Sequence, residues 1–278
     1  MRTSSEAGCY GFRVSGLAGA ADLLVDAPPT WPRLEVRHAS PAGSTRPALE
    51  SIGPDAAQVL LERGWIELDR RAASVTFRLA APPPPTDLVH PYLAPAAAVA
   101  ARWAGRDGFH AGAVLAGDGA WAVLAEKGGG KSSLLAWLAM HGHPVLTDDL
   151  LVTDGGTALA GPRCVDLRGD AAERLGTGEA LGVVGQRERW RMALGPDRAE
   201  VPLRGFVTLA WGDAPALEPL RGAERLLAIL PARTLRIAPD EPEAMLALSS
   251  LPVLRFSRPR DWDALPAAAA LLMDRLAA

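Results

Sequence analysis

The pattern of hydrophobic and polar positions changes character near residue 85. Before it, short runs of alternating apolar and polar residues are separated by Gly, Pro and Ser clusters, which is typical of strands joined by turns. These runs are residues 10–14, 33–37, 65–68 and 74–79. The pattern predicts a small, mostly β N-terminal region over residues 1–85. The proline run 82–85 fits a linker between domains and a surface loop within one domain equally well.

Beyond this point the apolar runs are longer, and strand-like and helix-like segments are mixed, which predicts an α/β domain over residues 86–278. Helices are predicted at residues 95–103, 131–140, 170–175, 224–230, 241–248 and 261–276. Strands are predicted at residues 109–116, 120–125, 144–147, 164–168, 189–194 and 203–211.

A glycine-rich segment joins a predicted strand to a predicted helix. Two strands meet at a hairpin turn, Gly117-Asp118-Gly119, and the second leads into the sequence AEKGGGKS at residues 125–132. Strand, glycine loop, helix and strand in this order predict a phosphate-binding loop (P-loop). Ala125 stands where this pattern usually has glycine.

Each part of this loop has a chemical task in nucleotide binding. The main chain of Gly128, Gly129 and Gly130 can approach a β-phosphate because no side chain intervenes, and the start of the following helix, with Ser133, adds amide donors. Lys131 is predicted to contact the β- and γ-phosphates of ATP, and the Ser132 hydroxyl to bind Mg²⁺.

Composition draws attention to the same loop. Of 29 Lys plus Arg residues only two are lysines, Lys127 and Lys131, and both lie here. A lysine ammonium is a compact point charge, whereas arginine is a wide planar fork, so Lys131 is expected to be needed as a lysine. Lys127 is interpreted as a solvated charge, with a phosphate or acceptor contact as the alternative.

Two adjacent carboxylates follow the next predicted strand. Asp148 and Asp149 come 17 and 18 residues after Lys131, and in a parallel sheet the carboxyl end of that strand lies beside the phosphate loop. Successive side chains of a strand point in opposite directions, so one carboxylate could meet the metal while the other accepts a proton. His110 is a lone histidine, and it carries no prediction by itself. His90 is interpreted as structural.

An arginine-rich strand offers a further set of cations. In an extended strand Arg187, Arg189 and Arg191 share one face, where they could contact a phosphate or an acidic peptide. A solvated strand edge protected by charge explains the pattern equally well.

Whole-chain properties exclude several classes of function. The net charge of −3 gives no electrostatic footprint for nucleic acid or an anionic membrane. No apolar run is long enough to span a bilayer, and residues 1–6 lead into no apolar core of a signal peptide. Two cysteines, Cys9 and Cys164, cannot form a disulfide framework. We therefore expect a cytoplasmic protein without nucleic-acid or membrane partners.

Three of these features together resemble the catalytic domain of HPr kinase/phosphorylase. His110, the 125–132 loop and the segment Gly142-His143-Pro144-Val145-Leu146-Thr147-Asp148-Asp149 occur in the order and spacing of that family, and Asp166-Leu167-Arg168-Gly169 lies where the family has Glu-Ile-Arg-Gly. The N-terminal region and residues 255–261 look more like HPr-kinase-like proteins associated with ribosomal peptides, including lasso-peptide tailoring kinases. The segment 170–174 departs from the family pattern, which weakens an inference of phosphorylase activity or of HPr as substrate.

The resemblance implies an HPr-kinase-like P-loop fold and assigns roles to single residues. Asp148 would be the general base that deprotonates a serine hydroxyl, and His110 would lie near it and tune it. Asp149 and Asp166 would help Ser132 to hold Mg²⁺.

The sequence thus predicts an ATP- and Mg²⁺-dependent serine kinase acting on a peptide or small protein, and it leaves a homo-oligomer open. Two alternatives are a nucleotide-binding regulator or NTP hydrolase, and a partner-binding module in which the nucleotide has a structural role.

Overall fold

The protein is described by a computed structural model that covers residues 6–195, 198–235 and 242–278. It is a mixed α/β structure with three sheets. None of the helices in these ranges is both long and apolar enough to cross a membrane.

The first sheet has eight strands in the order β3-β1-β2-β4-β8-β7-β6-β5. The strands are β1 Ala7–Cys9, β2 Phe12–Ser15, β3 Val25–Asp26, β4 Arg33–Ala39, β5 Ser51–Ile52, β6 Ala56–Leu61, β7 Gly64–Asp69 and β8 Ser74–Leu79. The predicted strand 10–14 is wrong at its start, because Tyr10 and Gly11 both have positive φ and form the turn between β1 and β2. The other three predicted strands are confirmed.

The second sheet carries the glycine loop. Its main path is β12-β10-β11-β18-β14-β13-β9, and β20 joins β18 and β19 beside that path. The strands are β9 Asp107–Phe109, β10 Ala111–Ala116, β11 Gly119–Leu124, β12 Val145–Thr147, β13 Leu151–Asp154, β14 Thr157–Leu159, β18 Glu200–Trp211, β19 Ala216–Pro219 and β20 Val253–Arg258.

This second sheet is mixed rather than parallel. β10 lies between β11 and β12 and is antiparallel to both, so β11 and β12 run in the same direction as each other. The carboxyl ends of β11 and β12 therefore lie on the same side of the sheet, as predicted, although the two strands are not neighbours. The predicted strand 109–116 is interrupted at His110, where β9 ends and β10 begins.

A small third sheet and seven α-helices complete the part of the chain that the structure describes. The sheet is antiparallel in the order β15-β17-β16, with β15 Cys164–Leu167, β16 Glu179–Val184 and β17 Arg187–Ala193. The helices are α1 Pro85–Asp87, which is one turn, α2 Leu93–Trp103, α3 Lys131–Met140, α4 Gly169–Leu175, α5 Ala223–Ile229, α6 Pro242–Ser250 and α7 Leu265–Ala277.

Two helix predictions need adjustment. The C-terminal helix begins at Leu265 rather than at residue 261, because the Asp261 carboxylate accepts a hydrogen bond from the main-chain N–H of Asp263 in a turn, and Pro266 suits a first helical turn. Residue 241, where another helix was predicted to begin, lies outside the described residues.

Two hydrophobic clusters pack on opposite faces of the second sheet. Because strand side chains alternate, Ala122 and Leu124 join one cluster, whereas Val123 joins the other. The first cluster continues through the alanine-rich helix α2 into the first sheet, and the second is covered by α3, α7 and the third sheet. The apolar core is thus continuous across residue 85. The division of the chain into domains there remains a prediction.

Candidate active site

The glycine loop lies between β11 and α3, as predicted, and its glycines are structurally required. Gly128 and Gly130 have φ values of 84° and 76°, in the left-handed region that favours glycine. A Cβ on Gly130 would lie 2.4 Å from the Arg258 guanidinium. The main-chain N–H of Gly129 donates to the carbonyl oxygen of Glu126 at 2.9 Å, which closes the loop on itself.

Lys131 starts α3 and points into a buried carboxylate cluster. Its Nζ lies 2.5 Å from Asp148 Oδ1 and 3.2 Å from Asp149 Oδ1. The Ser132 hydroxyl donates to Asp148 Oδ2 at 2.9 Å. Burial alone would lower the pKa of Lys131, but the two aspartates outweigh it and raise that pKa. Lysine, serine and both aspartates thus form one group, which we call the lysine cluster.

Asp149 shows why the two carboxylates meet the same cation. β12 ends at Thr147, and Asp149 has a φ of 66°, so its side chain does not follow strand alternation. The prediction that the two carboxylates point in opposite directions is wrong. Burial would raise the pKa of Asp149, but the charge and hydrogen bond of Lys131 hold it well below its usual range.

A second group, here called the arginine cluster, surrounds Asp166 on β15. The Asp166 carboxylate is fully buried, and its oxygens accept hydrogen bonds from Arg191 Nε at 2.8 Å, Arg191 Nη2 at 3.0 Å and Arg189 Nη1 at 3.3 Å. Strand pairing sets this geometry, because Asp166 lies directly opposite Arg191 on β17. Arg189 and Arg191 therefore do share a face, and in this structure that face meets Asp166.

His90 bridges the two clusters. Its imidazole is almost wholly buried, with Nε2 at 3.6 Å from Asp166 Oδ2 and 3.8 Å from Asp149 Oδ2, and neither ring nitrogen has a hydrogen-bond partner. Burial lowers the pKa of His90, although Asp166 and Asp149 act in the opposite direction. Sequence analysis missed this residue, and a single histidine before Pro91 offered no local signal for it.

His110 lies at the break between β9 and β10, with its side chain exposed. Its main-chain N–H donates to the carbonyl oxygen of Ala232 at 2.6 Å, which fixes the backbone there. Its side chain lines the same cavity as Asp149, although no hydrogen bond joins the two among the described residues.

Arg258 supports the glycine loop from the end of β20 and was also missed. Its Nη2 donates to the carbonyl oxygens of Gly129 and Gly130 at 3.3 and 3.2 Å, and its guanidinium stacks over the Trp211 ring at 4.4 Å. Burial lowers the pKa of Arg258 to about 10. Proximity of Arg258 to the loop follows from the sheet order β11-β18-β20, which the local sequence does not reveal.

Members of both clusters line one cavity of about 510 Å³, a size typical of small-molecule sites. Its lining joins the glycine loop and Ser133 to residues from other elements. The latter include His110, Asp149, Asp166, Arg168, Arg187 and Arg258. Two predicted residues are not part of this lining: Asp148 is buried behind Lys131 and Ser132, and Arg189 is turned toward Asp166.

Comparisons with known proteins do not establish a family for this chain. No family model matches the chain, and no curated protein matches it either. A solved structure of the Hpr(Ser) kinase/phosphatase from Coxiella burnetii matches with a TM-score of 0.31 and 12% sequence identity, covering 60% of this chain and 95% of that one. Similarity at this level does not establish a family, so the function has to be inferred from the side chains.

Proposed function

We propose that this protein is an ATP- and Mg²⁺-dependent kinase that transfers the γ-phosphoryl group to a serine hydroxyl of a peptide or small protein. The observation that carries the proposal is the lysine cluster: a lysine and a serine at the end of a glycine loop line the cavity, and both contact the Asp148 carboxylate buried behind them. Few structural roles need a glycine loop, an ammonium and two carboxylates together.

The loop and Lys131 would bind the phosphates. α3 has ten residues, and the main-chain N–H groups of its first turn have no partner within the helix, so they favour an anion. Lys131 would exchange its contacts with Asp148 and Asp149 for phosphate oxygens. A compact ammonium can make this exchange with little movement of its long side chain.

Oxygen donors suited to Mg²⁺ are present beside Lys131. Ser132 Oγ and the Asp149 carboxylate face the cavity, and Mg²⁺ prefers such ligands. Bound Mg²⁺ would neutralise charge that develops on the transferring phosphoryl group. Asp166 is fully buried and held by Arg189 and Arg191, so its role as a metal ligand stays a prediction from the resemblance and the proposal does not depend on it.

Asp148 would act as the general base. Once Lys131 and Ser132 turn to the nucleotide, its carboxylate is free to accept the proton of the serine hydroxyl. The serine oxygen then bonds to the γ-phosphorus, the bond from that phosphorus to the β–γ bridging oxygen breaks, and ADP leaves. Catalysis would rest on positioning and charge neutralisation rather than on a covalent intermediate.

The proposal also names the kind of acceptor and the kinase subfamily. They rest on the sequence resemblance, which favours a serine of a ribosomally made peptide over HPr. His110 would orient and tune the carboxylates through its charge.

The test is phosphoryl transfer measured by mass spectrometry after serine peptides are incubated with ATP and Mg²⁺. Asp148→Asn keeps the shape of the side chain but removes the base, so transfer should fall by about 10²–10⁴-fold while the Kd for ATP changes little. Arg275→Gln, an exposed change on α7 outside the cavity, is the matched control and should behave as wild type. Equal losses of transfer and ATP binding in Asp148→Asn would contradict the assignment of Asp148 as base.

The two alternatives make different predictions. A hydrolase or regulator would release phosphate from ATP at the same rate with and without a serine peptide. A binding module would bind ATP without turnover.

A further inference from the structure

A second cavity of about 860 Å³ adjoins the candidate active site. It lies between the turn that joins β6 to β7, the segment around Pro91 and Tyr92, and the hairpin of β16 and β17. The two cavities share three lining residues, Lys127, Arg168 and Arg187. A molecule in the larger cavity would therefore meet these cations where it approaches the glycine loop.

The three shared cations carry no counter-charge. Across residues 6–195, 198–235 and 242–278, no ion pair or hydrogen bond engages the side chains of Lys127, Arg168 or Arg187. By contrast, the neighbouring Arg189 and Arg191 are both paired with Asp166. Three unpaired positive charges at the mouth of a cavity concentrate anions there.

The whole larger cavity is positive in a protein whose net charge is −3. Its lining includes five cationic residues and two acidic ones, Glu62 and Glu188. An anionic occupant is therefore favoured over a neutral or cationic one of the same size.

The far wall is apolar and fixed. Val183 on β16 is 68% exposed, although valine is a residue that folding normally buries. Tyr92 lines the same cavity, and its hydroxyl accepts a hydrogen bond from the main-chain N–H of Gly185 at 3.2 Å, which ties the hairpin tip to the segment before α2. Such a wall offers a site for an apolar side chain.

The edge of the third sheet offers main-chain hydrogen bonds. Among the described strands β16 pairs only with β17, so its other edge is open. An extended peptide can add to an open edge, where main-chain bonds supply affinity and alternate side chains supply specificity. A volume of 860 Å³ is more than one side chain fills, and it suits a short peptide segment.

From these observations we infer that the larger cavity is the acceptor site and that its occupant is an extended acidic peptide. A carboxylate next to the phosphorylated serine would bind Arg168 and Arg187, with Lys127 beside them, and an apolar side chain would pack on Val183 and Tyr92. This places the serine at the boundary of the two cavities, on the side of the glycine loop. The inference rests on the proposed kinase function for its chemistry, but binding of the peptide can be tested separately.

The test measures peptide binding by fluorescence anisotropy in the presence of ADP and Mg²⁺, so that no transfer occurs. Two fluorescein-labelled, end-blocked decapeptides are compared: one has a central serine flanked by two aspartates and a leucine, and the other has asparagines in place of the aspartates. Wild-type protein should bind the aspartate peptide about tenfold more tightly. The double variant Arg168→Gln/Arg187→Gln should lose that preference, and Arg275→Gln should keep it.

A second variant separates the apolar wall from the charges. Val183→Asp changes an exposed side chain, so folding should be unaffected, and it should weaken binding of both peptides. Lys127→Gln should reduce the preference for the aspartate peptide by less than the double variant does.

Three results would overturn the inference: equal binding of the two peptides by wild type, an unchanged preference in the double variant, or tighter binding of a ten-nucleotide single strand than of the aspartate peptide. If the kinase proposal were wrong but the peptide site were correct, the aspartate peptide would still bind and no phosphopeptide would form with ATP. Conversely, transfer to both peptides at the same KM would support the kinase and contradict this acceptor site.

Discussion

The two carboxylate clusters of this protein lie side by side but are built with different cations. In the lysine cluster a single ammonium contacts Asp148 and Asp149, and Asp149 remains partly exposed to the cavity. In the arginine cluster two guanidiniums surround Asp166, which has no exposed surface. The lysine cluster can therefore exchange its hydrogen-bond partners, whereas the arginine cluster holds Asp166 in a fixed position.

The difference follows from the chemistry of the two cations. A guanidinium makes parallel hydrogen bonds to a carboxylate in a fixed fork geometry, so Arg191 and Asp166 lock together across β15 and β17. An ammonium has no such preferred fork and can turn from carboxylate to phosphate. This explains why a chain that otherwise uses arginine retains lysine at position 131.

The largest effect we expect on stability comes from breaking the arginine cluster. Asp166→Asn removes the carboxylate that pairs with both buried guanidiniums and leaves Arg191 with the more distant Asp87, at 3.6 Å, so we expect the free energy of unfolding to fall by about 3–5 kcal/mol. Urea unfolding followed by circular dichroism measures this. Asp118→Asn is the matched control, because it removes an aspartate–arginine pair with Arg204 that is exposed to solvent, and it should change stability little. Equal stabilities of the two variants would mean that Asp166 is not a structural anchor.

Exchanging the cation types tests the comparison from the other side. Lys131→Arg keeps the charge but replaces a compact ammonium by a wide fork, so we expect phosphoryl transfer to fall by about 10²–10³-fold with the fold intact. Arg191→Lys is the reciprocal change, and it should lower the unfolding free energy while the site keeps its lysine. If Lys131→Arg retained wild-type transfer, the need for a point charge would be disproved.

The smallest effect concerns His90, which lies between the clusters. Burial lowers the pKa of His90 in the folded protein. As the pH falls below the ordinary histidine pKa of about 6.5, His90 therefore becomes protonated in the unfolded chain but stays neutral in the folded protein. Its contribution to stability is therefore complete above that pH and declines toward acid, by at most about 1.4 kcal/mol per pH unit.

Comparison with a variant isolates this contribution. The unfolding free energy of wild type minus that of His90→Gln should decrease between pH 7 and pH 5. A difference that stays constant or increases toward acid would show that His90 is protonated in the folded protein.

Local patterns were sufficient to predict that Lys131 and Ser132 lie near the two aspartates, although not that their side chains contact one another directly. Glycines 128–130 followed by Lys131 and Ser132 define a strand–loop–helix turn, and Asp148 follows the next strand, so the prediction needed only elements adjacent in sequence. The predicted proximity holds although the sheet is mixed. β10 lies between β11 and β12 and is antiparallel to both, so β11 and β12 still run in the same direction.

Contacts between distant segments could not be predicted. His90 reaches Asp166 from the segment before α2, and Arg258 reaches Gly130 from β20, 128 residues away in sequence. Neither contact leaves a periodic signal in the chain. The orientation of Asp149 depends on its positive φ, which strand alternation cannot supply.

Isothermal titration calorimetry of ATP in the presence of Mg²⁺ tests the central claim most directly, since it measures whether the lysine cluster exchanges carboxylates for phosphates. We predict saturable binding by wild type and a Kd at least about 100-fold weaker for Lys131→Ala, which corresponds to about 2.7 kcal/mol. Asp166→Asn, measured at a temperature where it is folded, should bind ATP far better than Lys131→Ala does. Equal ATP affinity of wild type and Lys131→Ala would contradict the account.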